Sequence, residues 1–257
     1  MKVSVLGCSG GIARGLRTTS ILIDEDLLID AGDGIGTLAM ADIEKIRTVF
    51  LTHSHLDHIC HLPLLVDNQF EKLRDQGAML RVYGLEPTLA MLREHIFNDC
   101  IWPDFTRLPN ADSPVLTFQA IEPGDVIDVG SRRIEVIAAA HIVPAVSYRV
   151  QDGPASFAFS GDTGPNDQFW DALNAHDSLD ILIVEAAFPN RMKELSTLAK
   201  HYCPETLEQD LRKLVHRPDV HISHLKPGCE ETVITELKRA CPDRNIVRLF
   251  GGEVFEF

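Results

Sequence analysis

A layered α/β fold, with two strand-rich halves and helices outside, is what this sequence predicts. Three observations lead there. Short runs rich in Val, Ile or Phe, bounded by Gly, Pro, Asp or Asn, recur from one end of the 257-residue chain to the other. Helical patterns separate some of these runs. Strands come first in the chain, helices intervene later, and the same order returns after residue 115.

Taken in order, strands are expected over 2–6, 20–23, 27–29, 48–51, 80–83, 115–120, 133–139, 146–150, 157–159, 181–184, 220–222, 246–249 and 254–257. Helices are expected over 86–94, where Leu89 and Leu92 are three apart, over 204–215 and over 230–240. In the second of these, Leu207, Leu211, Leu214 and Val215 share one face. Its Pro204 suits a first helical turn, and Glu205 suits the positive helix end. Residues 95–113 stand apart as a long irregular insertion carrying Phe97, Trp102 and Phe105, with Pro103 and Pro109. Connections of that length often form lids or pocket walls. No low-complexity linker or short repeat is present, and 1–257 reads as a single domain.

Composition narrows the function classes. Hydrophobic residues make up 45%, enough for a substantial core. No apolar run approaches the roughly 20 residues of a membrane span, and the first strand is too short for a signal-peptide core. A cytoplasmic protein with no membrane partner is expected. Lys and Arg total 24 against 38 Asp and Glu, a net charge of −14. Long nucleic acids want a basic surface, so they are not expected partners. The six cysteines are scattered, without a C-x-x-C pair, and read as reduced thiols, mostly small buried hydrophobes.

The strongest chemical signal is Thr52-His53-Ser54-His55-Leu56-Asp57-His58, directly after the run Val49-Phe50-Leu51. Neutral imidazole and carboxylate oxygen are ligands for divalent metals. A strand end projects its loop beyond the sheet, where active sites of layered α/β folds sit. His53 and His55 are able to converge on one centre, and Asp57 with His58 on a neighbouring one. Further candidates follow other strands: His141 after 134–140, Asp162 after 157–159 and His224 after 220–222. Each is a His or Asp at a strand's C-terminal end, as His53 is, which argues for convergence at one sheet edge.

His53-Ser54-His55-Leu56-Asp57-His58 resembles the H-x-H-x-D-H signature of the metallo-β-lactamase fold, and His141, Asp162 and His224 resemble its later ligands in order and context. The resemblance covers essentially the whole chain. It implies an αββα sandwich of two mixed β-sheets with helices outside, and a dinuclear metal site. By that resemblance His53, His55 and His141 hold one metal, Asp57, His58 and His224 hold the other, and Asp162 bridges them. Zinc is the expected metal, and manganese or iron would accept the same donors.

Within this fold the chain resembles class II cyclic-nucleotide phosphodiesterases. Gly7-Cys8-Ser9-Gly10-Gly11 is similar to their N-terminal glycine turn, and His55-Leu56-Asp57-His58 to their H-L-D-H core. Glu185-Ala186-Ala187-Phe188-Pro189-Asn190 is similar to E-x-S-F-P-N, with Ala187 in place of Ser. His201-Tyr202-Cys203-Pro204 and His224-Leu225-Lys226-Pro227 also resemble that family, as do Phe97-Asn98-Asp99 and Trp102-Pro103. Cys60-His61 departs from it, where the family has a small residue. Phe50-Leu51-Thr52-His53 and Ser160-Gly161-Asp162-Thr163 are similar to RNase Z as well, but no Gly/Pro/Lys-rich insertion suggests a tRNA-binding arm, and binding many phosphates requires Lys and Arg.

The resemblance thus implies hydrolysis of a small cyclic nucleotide, cyclic AMP or cyclic GMP, by a hydroxide shared between two metals. RNase Z, another hydrolase of this fold, and a catalytically silent metal-binding module are the alternatives. His201 and Asp57 are the expected catalytic residues, His201 as general acid to the leaving 3′-oxygen or else a loop-capping surface residue. Asp30 orients a ligand histidine or caps a turn. Glu185 serves the site or is a buried structural carboxylate. Lys226 touches phosphate or is a surface lysine. Trp102, Phe188, Phe97 and Phe105 either stack a base or belong to the core. A homodimer is what the resemblance implies. His61, His95, His176, His216 and His221 carry no expected role.

Overall fold

The computed structural model describes Met1–Phe257. The chain forms two compact units. The first comprises Met1–Gly7, Arg17–Ile121 and Gly251–Glu256, and the second Cys8–Leu16 and Glu122–Phe250 together with Phe257.

The first unit contains strands β1 (Lys2–Gly7), β2 (Ser20–Ile23), β3 (Leu27–Ile29), β4 (Thr48–Phe50), β5 (Leu80–Gly84) and β6 (Leu116–Ala120). Its helices are α1 (Met40–Ile43), α2 (Leu56–Ile59), α3 (Leu62–Gln76) and α4 (Glu86–His95). The second unit contains β7 (Val126–Val129), β8 (Arg132–Ala139), β9 (Ala145–Asp152), β10 (Ala155–Phe159), β11 (Ile181–Glu185), β12 (Asp219–Ser223) and β13 (Ile246–Arg248). Its helices are α5 (Asp167–Asn174), α6 (Lys193–Ala199), α7 (Pro204–Leu211) and α8 (Glu230–Ala240). Strand β14 (Val254–Glu256) returns to the first unit.

Each unit is built on one mixed seven-stranded sheet. The first runs β14-β1-β2-β3-β4-β5-β6 and the second β7-β8-β9-β10-β11-β12-β13. In both, the first three pairings are antiparallel and the last three parallel. Parallel neighbours need a crossover, and helices supply each one. In the first unit α1, the α2–α3 pair and α4 make these connections; in the second α5, the α6–α7 pair and α8 do. The middle parallel strands are almost wholly buried, as strands covered on both faces must be. Each unit has its own apolar core. One gathers Leu28, Val49, Leu65, Leu89 and Phe105; the other gathers Trp170, Leu182, Leu207, Ile222 and Val233.

The expected strands all appear, with ends moved by a residue or two. Strand β7 is an addition, because its alternation exposes Val126 and leaves little apolar signal. Helices α3 and α5 are also additions. Helix α7 stops at Leu211 instead of reaching 215, and Val215 is 68% exposed. Its end is capped from outside: the Arg244 guanidinium donates to the carbonyls of Leu211 at 2.9 Å and Leu214 at 2.7 Å. Of the six thiols, none of them in a disulfide, only Cys203 and Cys241 are buried, so the expectation of mostly buried cysteines fails.

The insertion at 95–113 is anchored by its aromatics. Phe97 and Phe105 are buried in the first core, with Phe105 5.5 Å from Phe70 and Phe97 6.0 Å from Phe118. Base stacking by these two rings is thereby excluded. Trp102 packs against the same core, half-buried.

Candidate metal centre

In the first unit the centre grows from the end of β4. This strand lies parallel between β3 and β5 and delivers Thr52 and His53, both fully buried, past the sheet edge. Asp30 leaves β3 one strand away and is wholly buried. Its carboxylate accepts from the Thr52 backbone N–H at 2.8 Å and from the Thr52 hydroxyl at 2.9 Å. It also takes the Nδ1 of His58 at 2.7 Å. Thr52 Oγ1 is 3.0 Å from His53 Nδ1. Asp30 sits at φ +59°, a left-handed conformation in which Asp is enriched. Gly32, two residues on, is pressed against the Asp57 carbonyl, which a Cβ there would meet at 2.4 Å. The turn therefore packs directly under the histidine loop.

That loop opens helix α2, with His55 at its N-cap and Asp57 in its first turn. One short turn gathers the donors. The His53 ring is 4.6 Å from His55 and 4.3 Å from His58, and His58 Nε2 is 3.9 Å from Asp57 Oδ2. Burial raises the Asp30 carboxyl above its ordinary value, against the pull of His58 and the bonds from Thr52.

In the second unit, β8 and β10 run the same way on either side of β9, so His141 and Asp162 emerge at one edge. His141 Nε2 is 4.0 Å from Asp162 Oδ2, and His224, after β12, has Nδ1 3.1 Å from Asp162 Oδ1. The segment is tied together by Thr163, whose hydroxyl accepts from the Ala140 N–H at 2.9 Å. His141 donates Nδ1–H to the Lys200 carbonyl at 3.2 Å, and Lys200 Nζ returns a bond to the His141 carbonyl at 3.0 Å.

Glu185 ends β11 and is fully buried. It accepts from His201 Nδ1 at 2.6 Å, from the Thr163 N–H at 2.9 Å and from the Ala187 N–H at 3.0 Å. His201 is 8% exposed, which removes the surface-capping alternative. Its ring stacks on His224 at 5.3 Å and meets His141 edge-on at 5.0 Å. Donor atoms of Asp162, His201 and His224 all lie within 4.8 Å of one another. Burial disfavours the His201 cation, but the Glu185 carboxylate outweighs it and holds this imidazole above its ordinary value. Burial in turn raises Glu185.

The donors suit a divalent cation. Bonds on Nδ1 of His58 and His141 fix the tautomer that presents Nε2, the carboxylate– or carbonyl–histidine arrangement that orients metal ligands. Lys200 acts through its backbone carbonyl, which no residue-type signal reveals. Thr52 follows from Asp30 only once β3 and β4 are seen to be neighbours. Lys226 donates to the Gly10 carbonyl at 2.7 Å. Phe188 is buried, its ring 5.8 Å from His201.

The family model of the beta-lactamase superfamily domain matches residues 26–246. The chain belongs to the β-lactamase superfamily. Its fold is that of the metallo-β-lactamases, with two mixed sheets and helices. Unliganded yeast PDE1 superposes with a TM-score of 0.84 over 100% of this chain and 99% of that one, at 18% identity. A probable 3′,5′-cyclic-nucleotide phosphodiesterase of Yersinia pestis is 26% identical over 90% of this superfamily member and 79% of its own length. The ribonuclease Z of Methanopyrus kandleri is 31% identical over 57% of this chain and 48% of its own. Together with the His/Asp donors, the superfamily makes this a metal-dependent hydrolase. No helix is long and apolar enough to cross a membrane.

Proposed function

We propose that this metallo-hydrolase opens 3′,5′-cyclic nucleotides to 5′-nucleotides. The observation that carries the reading is the Glu185–His201 pair, 2.6 Å apart and packed beside Asp162 and His224. A buried imidazole backed by a carboxylate is a proton donor for a departing alkoxide. The span of the Yersinia match, 90% of the chain against 57% for the ribonuclease Z match, supports a cyclic nucleotide over tRNA. The net charge of −14 supports it too, because a long polyanion must be met by Lys and Arg.

In this reading His53, His55 and His141 hold one divalent ion, Asp57, His58 and His224 a second, and Asp162 serves both. Zinc is the expected metal. Bound there, the ions would neutralise phosphoryl charge and acidify a water. The chain's own residues do the rest. Asp30 and Thr52 hold His58 and His53 in register, and the Lys200 carbonyl holds His141. His201, its ring face stacked on His224 and its Nδ1 on Glu185, carries a proton on Nε2 in the plane of the ring and delivers it to the 3′-oxygen. Glu185 stabilises the imidazolium until transfer, and the Phe188 ring packs beside that imidazole, 5.8 Å between centroids.

The test is a substrate panel on metal-loaded protein: cyclic AMP, cyclic GMP, bis-p-nitrophenyl phosphate and precursor tRNA. Cyclic nucleotides should be opened, and His201→Ala should keep its metal while losing about 10²–10⁴-fold in kcat. Cleavage of precursor tRNA alone would move the chain to RNase Z. Bound metal without phosphodiester hydrolysis would leave a metal-binding module, and wild-type kcat in His201→Ala would remove His201 as the donor.

A further inference from the structure

His224 adopts φ +55°, in the left-handed region that few residues other than glycine enter. Such a conformation persists only where its surroundings over-determine it. The surroundings here are the turn at 8–11. The His224 N–H donates to the Cys8 carbonyl at 2.7 Å, and the Gly10 N–H donates to the Leu225 carbonyl at 3.1 Å. Ser9 Oγ donates to that same Leu225 carbonyl at 3.4 Å, and Lys226 Nζ donates to the Gly10 carbonyl at 2.7 Å. The three residues that begin at His224 are therefore gripped by a turn more than two hundred positions away in the chain.

Within that turn Gly10 lies against His224 itself. A Cβ on Gly10 would stand 2.5 Å from the His224 carbonyl oxygen and 2.9 Å from ring atom Cδ2. Gly10 is not itself in the left-handed region, so a side chain there is refused by contact alone. Cδ2 is bonded to Nε2, while Nδ1 of the same ring is 3.1 Å from Asp162 Oδ1. The ring is thus held between Gly10 and Asp162, and pressure on Cδ2 turns the imidazole and re-aims its nitrogens, Nδ1 beside Asp162 included.

We infer that Gly10 is a positioning residue for His224: the absence of a side chain at Gly10, with the grip of the turn, fixes the imidazole for metal binding. The inference rests on the proposed role of His224 as a ligand. Gly11 is the natural control, since a Cβ there would meet only the Pro227 ring, at 3.1 and 3.2 Å.

The experiment measures zinc per chain and the affinity of each equivalent by competition with a chromophoric chelator. Far-UV circular dichroism and the thermal midpoint of the metal-free form report folding. His224→Ala should lose one zinc equivalent. Gly10→Ala, folded as wild type, should weaken that same equivalent about 10–100-fold, while Gly11→Ala should bind as wild type. Replacing zinc by cobalt should show a changed visible spectrum in Gly10→Ala, as a re-aimed imidazole requires. Wild-type affinity and spectrum in folded Gly10→Ala would overturn the inference. If Gly10→Ala does not fold, Lys226→Met, which removes the Nζ bond to Gly10 without adding bulk, carries the test. It should weaken the same equivalent several-fold, and unchanged affinity would overturn the inference. Two full-strength equivalents in His224→Ala would instead remove the premise that His224 is a ligand.

Discussion

Glu185 and His201 lie sixteen positions apart in sequence and 2.6 Å apart in space, and neither is legible without the other. Read singly, a histidine before a helix and a carboxylate at a strand end both have ordinary structural explanations. Their contact makes them the pair proposed to act as one acid. The sign of their coupling is testable. Glu185 holds His201 above its ordinary value against burial. In Glu185→Gln that support is gone and burial prevails, so the imidazole loses its proton at lower pH. A general acid must be protonated, so the alkaline limb of kcat should move to lower pH in Glu185→Gln. A bound cation would act on His201 in both proteins alike, so the difference between the two profiles is what is read. Superimposable limbs would exclude His201 as the acid.

At the scale of elements, α7 shows how local signals and tertiary ones divide the work. Its start is local: Pro204 occupies the first turn, and Thr206 bonds back to the Cys203 N–H at 3.1 Å. Its end belongs to Arg244. Its inner face carries Asp210, which the sequence reading passes over. This carboxylate accepts from the Tyr202 hydroxyl at 2.6 Å, the Trp170 indole N–H at 3.2 Å and the Asn166 N–H at 3.1 Å. Lys213 adds an ion pair at 2.6 Å. Burial alone would raise Asp210, but these donors hold it below the ordinary carboxylate value. Its stabilisation is therefore present above the unfolded-state pKa, roughly 3.9, and is lost as pH falls through the lower folded value. Asp210→Asn should cost about 3 kcal/mol at neutral pH, because it removes charge-assisted bonds and leaves buried donors poorly met. Urea titrations should show the gap between the two proteins closing as pH drops below 4; a gap constant with pH would refute the charge-based account. Helix α3 is the opposite case: the sequence reading passes over it although its signal is local. Leu62, Leu65, Val66 and Leu73 repeat at helical spacing, and Gly77 ends it at φ +59°.

At the scale of the whole molecule, the two units carry separate cores, while the proposed ligands run along the chain from His53 to His224. Binding to the folded state alone stabilises by mass action, about 4 kcal/mol when free metal is a thousand times Kd. For a chain of this size that corresponds to a thermal midpoint on the order of 10 °C higher. Chelation should lower the melting midpoint by that amount while leaving far-UV circular dichroism at 20 °C unchanged, because the cores do not depend on metal. A midpoint indifferent to chelator would argue against tight metal binding.

The sequence by itself determined the strand runs, the α/β class, the resemblance that the superfamily match bears out, and the residue types able to ligate metal. These are local properties: alternation, turn residues, and four donors within six positions of one loop. Only the tertiary structure decided which neighbours orient those donors. Asp30 reaches Thr52 and His58 because β3 and β4 pair in parallel, and Gly10 meets His224 because the turn at 8–11 docks on the end of β12. The same holds for Phe97 and Phe105, which are core and not base platforms. Such contacts join positions 22 to 214 residues apart through strand order and backbone shape, and neither leaves a mark on composition or spacing.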